Sequence, residues 1–148
     1  MPTKLAQAEA KAILEHIVGR TEMAKPGELF IGLLSAEPTT GMTVAELEAK
    51  EAKYASYARL AIKGAEWKEA TEGATTKIVN SGTLKFGNPT SGGTDPQTLT
   101  HAVLFTKAKG TGGSWVAFGS LASSIEVSYA GAKYPVEIAA EKLELTLV

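Results

Sequence analysis

The chain contains no cysteine, which excludes a disulfide framework and any thiolate-bound metal and leaves the redox compartment open. Aspartate occurs once, at Asp95, and histidine twice, at His16 and His101. Neither histidine has a second ligand at zinc spacing, and no aspartate-rich loop of the calcium-binding type is present, so no metal or cofactor is expected. An excess of one charge is also missing: 15 basic residues stand against 16 acidic ones, a formal net charge of −1. That balance provides no field to gather nucleic acid or to hold an anionic membrane, and neither is an expected partner. No apolar run approaches the roughly 18–20 residues of a membrane span. With Lys4, Glu9, Lys11 and Glu15 interleaved, the N-terminus lacks the apolar core of a signal peptide, and the product is expected to be soluble.

Catalytic constellations are scarce as well. The glycine-rich run from Gly87 to Gly93 lacks the Gly-Lys-Ser/Thr ending of a phosphate cradle and reads as a connection. Asp95, His101 and a serine such as Ser114 or Ser120 are the residue types of a hydrolytic triad, but no nucleophile elbow accompanies them. His101 reads instead as a satisfied histidine on a strand. The glutamates are scattered, many on helix surfaces, rather than paired for glycoside chemistry. Trp115, Phe118 and Tyr134 have the rings of a sugar platform, yet aromatics alternating along strands read first as core. No catalytic residue is assigned.

What is present is patterning. A length of 148 residues suits a single domain over 1–148 that buries roughly two thirds of its unfolded surface. Leu5, Ala8, Ala12, Ile13, Ile17 and Val18 recur at three- and four-residue steps, which predicts an amphipathic helix over 3–18. Thr3 is its expected cap, Gly19 its stop, and Arg20 a cation at its carbonyl end. The short apolar run Glu28–Leu34 predicts a strand covered on both faces. Thr43-Val44-Ala45-Glu46 fits a capping box and opens a second short helix over 43–53, with Glu46 and Lys50 at i,i+4 spacing. Tyr57–Ile62 has strand texture, and Trp67 reads as core.

Strand signals are densest from Lys77 to Leu121. Ile78-Val79-Asn80, the turn Ser81-Gly82 and Thr83–Phe86 read as a hairpin. Leu99–Phe105 reads as a central strand, and Gly110-Thr111-Gly112-Gly113 turns the chain into Ser114–Leu121. Strict alternation would put Trp115, Ala117 and Gly119 on one face of that strand and Val116, Phe118 and Ser120 on the other. Ile125–Val127, a turn at 130–132, Tyr134–Ile138 and the alternating Leu143–Leu147 complete the chain. The fold class is mainly β: an antiparallel β-sandwich, jelly-roll-like, over 28–148, with the N-terminal helix and the helical insertion near 43–53. Phe86, Val103, Phe105, Trp115 and Leu145 are expected to be core or near-core. Two packed sheets bury their inner faces on each other, leaving the helix stripe short of cover. Leu5, Ile13, Ile17 and Val18 are therefore the candidate self-association residues.

Several stretches together resemble a known family. Ala10–Gly19, Phe30–Pro38, Tyr57-Ala58-Arg59, Ile78-Val79-Asn80, Leu84-Lys85-Phe86, Thr100–Phe105, Gly119-Ser120-Leu121 and Ala139–Leu143 occur in the order of a family of small tailed-bacteriophage virion proteins. Its members are described as tail fibre, minor tail or capsid decoration proteins. The chain departs from the family pattern in two places: the helix over 43–53 replaces a short glycine-rich link, and a glycine usual near the last strand is replaced around Glu141-Lys142. The resemblance implies a non-enzymatic structural protein, made in the host cytoplasm and present in multiple copies on the virion. It would act as capsid decoration or cement, or as a tail-associated piece. Implied partners are its own copies, as a trimer or ring, and the major capsid or tail proteins. The alternative is a ligand-binding β-sandwich that adsorbs to a host carbohydrate or receptor.

Overall fold

The structure is a computed structural model and describes residues 4–24, 27–54, 56–87, 97–127 and 136–147. Thr3, Lys25-Pro26, Asp95 with most of the glycine-rich run, the turn at 130–132 and Tyr134 lie outside them. Strand outweighs helix, 43% against 16%, as expected of a mainly β chain. Ten strands are described: β1 (Lys4–Leu5), β2 (Glu28–Leu34), β3 (Leu60–Lys63), β4 (Trp67–Glu69), β5 (Thr76–Asn80), β6 (Leu84–Lys85), β7 (Gln97–Phe105), β8 (Trp115–Val127), β9 (Glu137–Ile138) and β10 (Glu144–Leu147). They form an antiparallel five-stranded sheet ordered β1-β8-β7-β2-β3, a three-stranded sheet β10-β5-β4 and a two-stranded ribbon β6-β9.

Both faces of the five-stranded sheet are covered, which is why Glu28–Leu34 is almost wholly apolar. One face carries Ile31, Leu33, Leu99, Ala102 and Leu104, packed with Leu84, Ile138 and Leu143 from the smaller sheets and their connections, a sandwich arrangement. The other carries Leu34, Val103, Phe105, Trp115 and Phe118, closed by Ala6, Leu47, Met42 and Val44. Phe86, Val103, Phe105 and Trp115 are buried as expected. Leu145 is half-buried.

Five local expectations are corrected. The N-terminal helix is α1, Gln7–Ile17; Lys4 and Leu5 instead pair with Phe118 and Ala117 as an edge strand. Its C-terminus is as read, with Gly19 at φ 74° and a Schellman pair in which the Arg20 and Gly19 amides donate to the Glu15 and His16 carbonyls. The second helix, α2, is only Val44–Glu48. Its capping box forms, the Glu46 carboxylate turning back to accept from Thr43 N at 2.8 Å, but the chain beyond leaves the helix to bridge Glu51 to Leu34.

The third correction is the hairpin at 78–86, which does not form. β5 pairs with β4 and β10, whereas β6 pairs with β9. Buried Asn80 makes this crossing between sheets: its Nδ2 donates to Gly82 O and Ala139 O, and its Oδ1 accepts from Leu143 N. The fourth concerns β8. A register shift between Leu104↔Ala117 and Phe105↔Trp115 leaves Val116 as an extra residue, so Trp115 and Phe118 share one face. The expected strand at 57–62 begins only at Leu60, because Tyr57 and Arg59 are drawn inward.

Candidate functional site

Among the described residues the interior holds one charged cluster, built where β3 stops covering β2. Beyond Ile31 the β2 edge needs other partners. The Ser35 and Ala52 amides exchange bonds with Lys50 O and Leu33 O, and Leu33 N donates to the Tyr57 hydroxyl at 3.1 Å. This brings Glu51 and Arg59, both fully buried at the side chain, into a two-pronged pair of 2.7 and 2.9 Å. Arg59 also donates to Glu48 Oε1 and Lys107 O, and its guanidinium lies 3.4 Å from the Phe105 ring centre. Tyr57 Oη donates to Glu51 Oε1 at 2.6 Å. Burial first, and then the adjacent Glu51 carboxylate, push the Tyr57 phenol far above its ordinary range.

Gly32 explains itself in this setting. A Cβ there would stand 2.7 Å from Phe105 Cε2 and 2.8 Å from Glu51 Oε1. The cluster pins the connection 35–59 to the sheet. Its carboxylate and guanidinium bind each other, and its phenol holds its proton, so it presents no free base or nucleophile. Composition had not marked it, although Tyr57-Ala58-Arg59 is one of the family-like stretches.

His101 is half-buried, its Nδ1 2.8 Å from Thr100 Oγ1, and desolvation holds its pKa below the ordinary value. His16 is exposed, and its Nδ1 accepts from Met23 N. Trp115 and Phe118 are buried, and Trp115 Nε1 donates to Met42 O at 2.7 Å. Those two rings are core, not an outward sugar platform.

The outer surface differs around α1. No residue of this helix is buried. Ala12 and Ile13 are half-buried toward the domain together with Glu9, whose carboxyl burial holds above its usual range. The four candidate residues divide. Leu5 and Ile13 meet in a groove of 220 Å³ between α1 and the three-stranded sheet, lined also by Ile78, Val116, Leu145 and Thr76. Ile17 and Val18 stand free at 70% and 75% exposure. Leu14, at 63%, belongs with them. It sits four residues before Val18, so the same spacing rule that found Val18 could have found it.

Thus the described chain is an antiparallel β scaffold with a neutralised, pinned interior and one apolar outer face. A family model described as "Podophage GP4 fiber I protein gp80" matches residues 4–146, and the chain belongs to that family. It is therefore a structural protein of the tailed-phage particle. No curated protein matches it. Among the described residues no helix is long and apolar enough to cross a membrane.

Proposed function

We propose that the chain is a non-enzymatic building piece of the virion surface, present in multiple copies and acting by contact alone. Its copies associate with one another as a trimer or ring and dock on a tail or major capsid protein. The family's fibre description favours a tail-associated position over capsid decoration. The observation that carries this reading is the distribution of exposed apolar side chains. Among the described residues the exposed large hydrophobics are Leu14, Ile17, Val18 and Ile78, and all lie on α1 or in the groove beside it. Such concentration marks a contact surface. The near-zero net charge opposes no close approach of many copies.

The test is quantitative mass spectrometry of gradient-purified particles. Several copies per particle are expected, in fixed ratio to a tail protein. Absence from purified particles, with abundant protein left in the lysate, would overturn the role.

A further inference from the structure

We propose that the outer face of α1 in one copy seats in the groove of a neighbouring copy, placing Leu14 and Val18 against Ile78 and Leu145. This deepens the self-association proposed above and rests on it. The groove and the protruding side chains are an apolar hollow and an apolar ridge on one molecule. They cannot satisfy each other within that molecule. On a helix of about 3.6 residues per turn, Leu14 and Val18 lie roughly 100° and 140° round from Ile13, and Ile13 already forms the groove wall. The ridge therefore points away from its own hollow, and a second copy supplies the missing half of each.

Charge permits the fit. Between Ile13 and Val18 the arc of α1 carries Gln7, Ala10, Leu14 and Ile17 and no ionisable group. Lys11, which flanks the arc beside Val18, pairs with Glu15 at 3.7 Å. The lining of the groove carries no ionisable side chain. Neither that arc nor the groove lining carries a charge, and both exclude a strongly charged occupant. The edge of β8 is a poorer route to assembly. Opposite the single residue Thr100, β8 carries the four residues from Leu121 to Ser124, a bulge that spoils strand addition along that edge. Repeated head to tail about an axis, with the ridge of each copy in the hollow of the next, this contact builds the ring or trimer proposed above.

The cysteine-free chain makes the test clean. Leu14→Cys and Ile78→Cys are prepared as separate full-length proteins of distinguishable mass, mixed and mildly oxidised. A disulfide-linked heterodimer is expected, at least tenfold above the yield from Leu14→Cys mixed with Ser123→Cys. Sedimentation of Leu14→Glu should show association at least tenfold weaker than the parent, with unchanged circular dichroism. Yields no higher than the Ser123 control, a dominant Leu14–Leu14 product, or a parent that stays monomeric at high micromolar concentration would each overturn the contact. Particle composition separates this from the structural role. Protein present in particles without the 14–78 link sinks the contact alone, as does a link from Leu14→Cys to a different virion protein. A 14–78 link formed by protein absent from particles leaves the contact standing and sinks the role.

Discussion

Replacing Arg59 by methionine tests the buried cluster. The substitution keeps a long apolar side chain over the Phe105 ring but removes both prongs to Glu51 and the bonds to Glu48 and Lys107. Glu51, fully buried, is left with a charge answered only by the Tyr57 hydroxyl. Losing one partner of a buried ion pair costs about 3–5 kcal/mol, chiefly through the charge left behind. For a domain of this size each kcal/mol shifts the melting temperature by about 2–4 °C, so Arg59→Met should melt roughly 6–20 °C below the parent. The decisive comparison is the double variant Glu51→Leu/Arg59→Met, which removes the stranded charge. Apolar replacement of a whole buried pair is often near neutral, so the double should recover most of the loss, the remainder reflecting the unpaired Tyr57 hydroxyl. Urea unfolding followed by tryptophan fluorescence measures both. A double variant as unstable as the sum of its singles would refute the reasoning.

Three further outcomes follow from the same structure. Gly32→Ala should destabilise by about 1–3 kcal/mol, because its Cβ would enter the space of Phe105 and Glu51; an unchanged urea midpoint would show that the site yields freely. Glu141→Gly should raise stability by up to about 1 kcal/mol, since Glu141 holds φ 64° and its ion pair with Lys68 is exposed; a lower midpoint would mean that pair outweighs the backbone strain. Burial pushes Tyr54 up to about 12, and Tyr57 is pushed up as well. Unfolded phenols titrate near 10, so above that pH the unfolded chain loses protons the folded one keeps, and stability should fall as pH rises beyond about 10. Tyr57→Phe should flatten that fall in urea midpoints taken between pH 9 and 11, and an equal slope in parent and variant would contradict it.

Periodicity made the broad plan legible. The apolar run at Glu28–Leu34 announced a strand buried on both faces, the Thr43–Glu46 box marked the start of α2, and Gly19 marked the end of α1. What stayed hidden depends on distant partners. Lys4 and Leu5 carry a helix-compatible pattern, yet the open edge of β8 takes them as a strand. Ser81-Gly82 has turn chemistry, but Asn80 bonds to Ala139 and Leu143 and sends the chain to another sheet. The face of Trp115 was misread because one extra residue in β8 reverses the alternation. The Glu51–Arg59 pair in the interior was not legible, since neither local spacing nor composition reports that 35–59 folds back over β2. Of the candidate surface, Leu5, Ile13, Ile17 and Val18 were readable from the helical period. The groove that Leu5 and Ile13 line was not, because Ile78 and Leu145 come from strands far along the chain. The glycine replaced around Glu141-Lys142 now has a structural counterpart in the left-handed backbone at Glu141.

The central claim, that this chain is a multi-copy piece of the virion surface joined through α1, is tested most directly by electron cryo-microscopy of intact particles. The account predicts a symmetric ring or trimer of this β domain at a fixed position on the tail, with α1 at the contact between neighbouring copies. Isolated single domains whose α1 faces solvent, or particles without density for the domain, would contradict it.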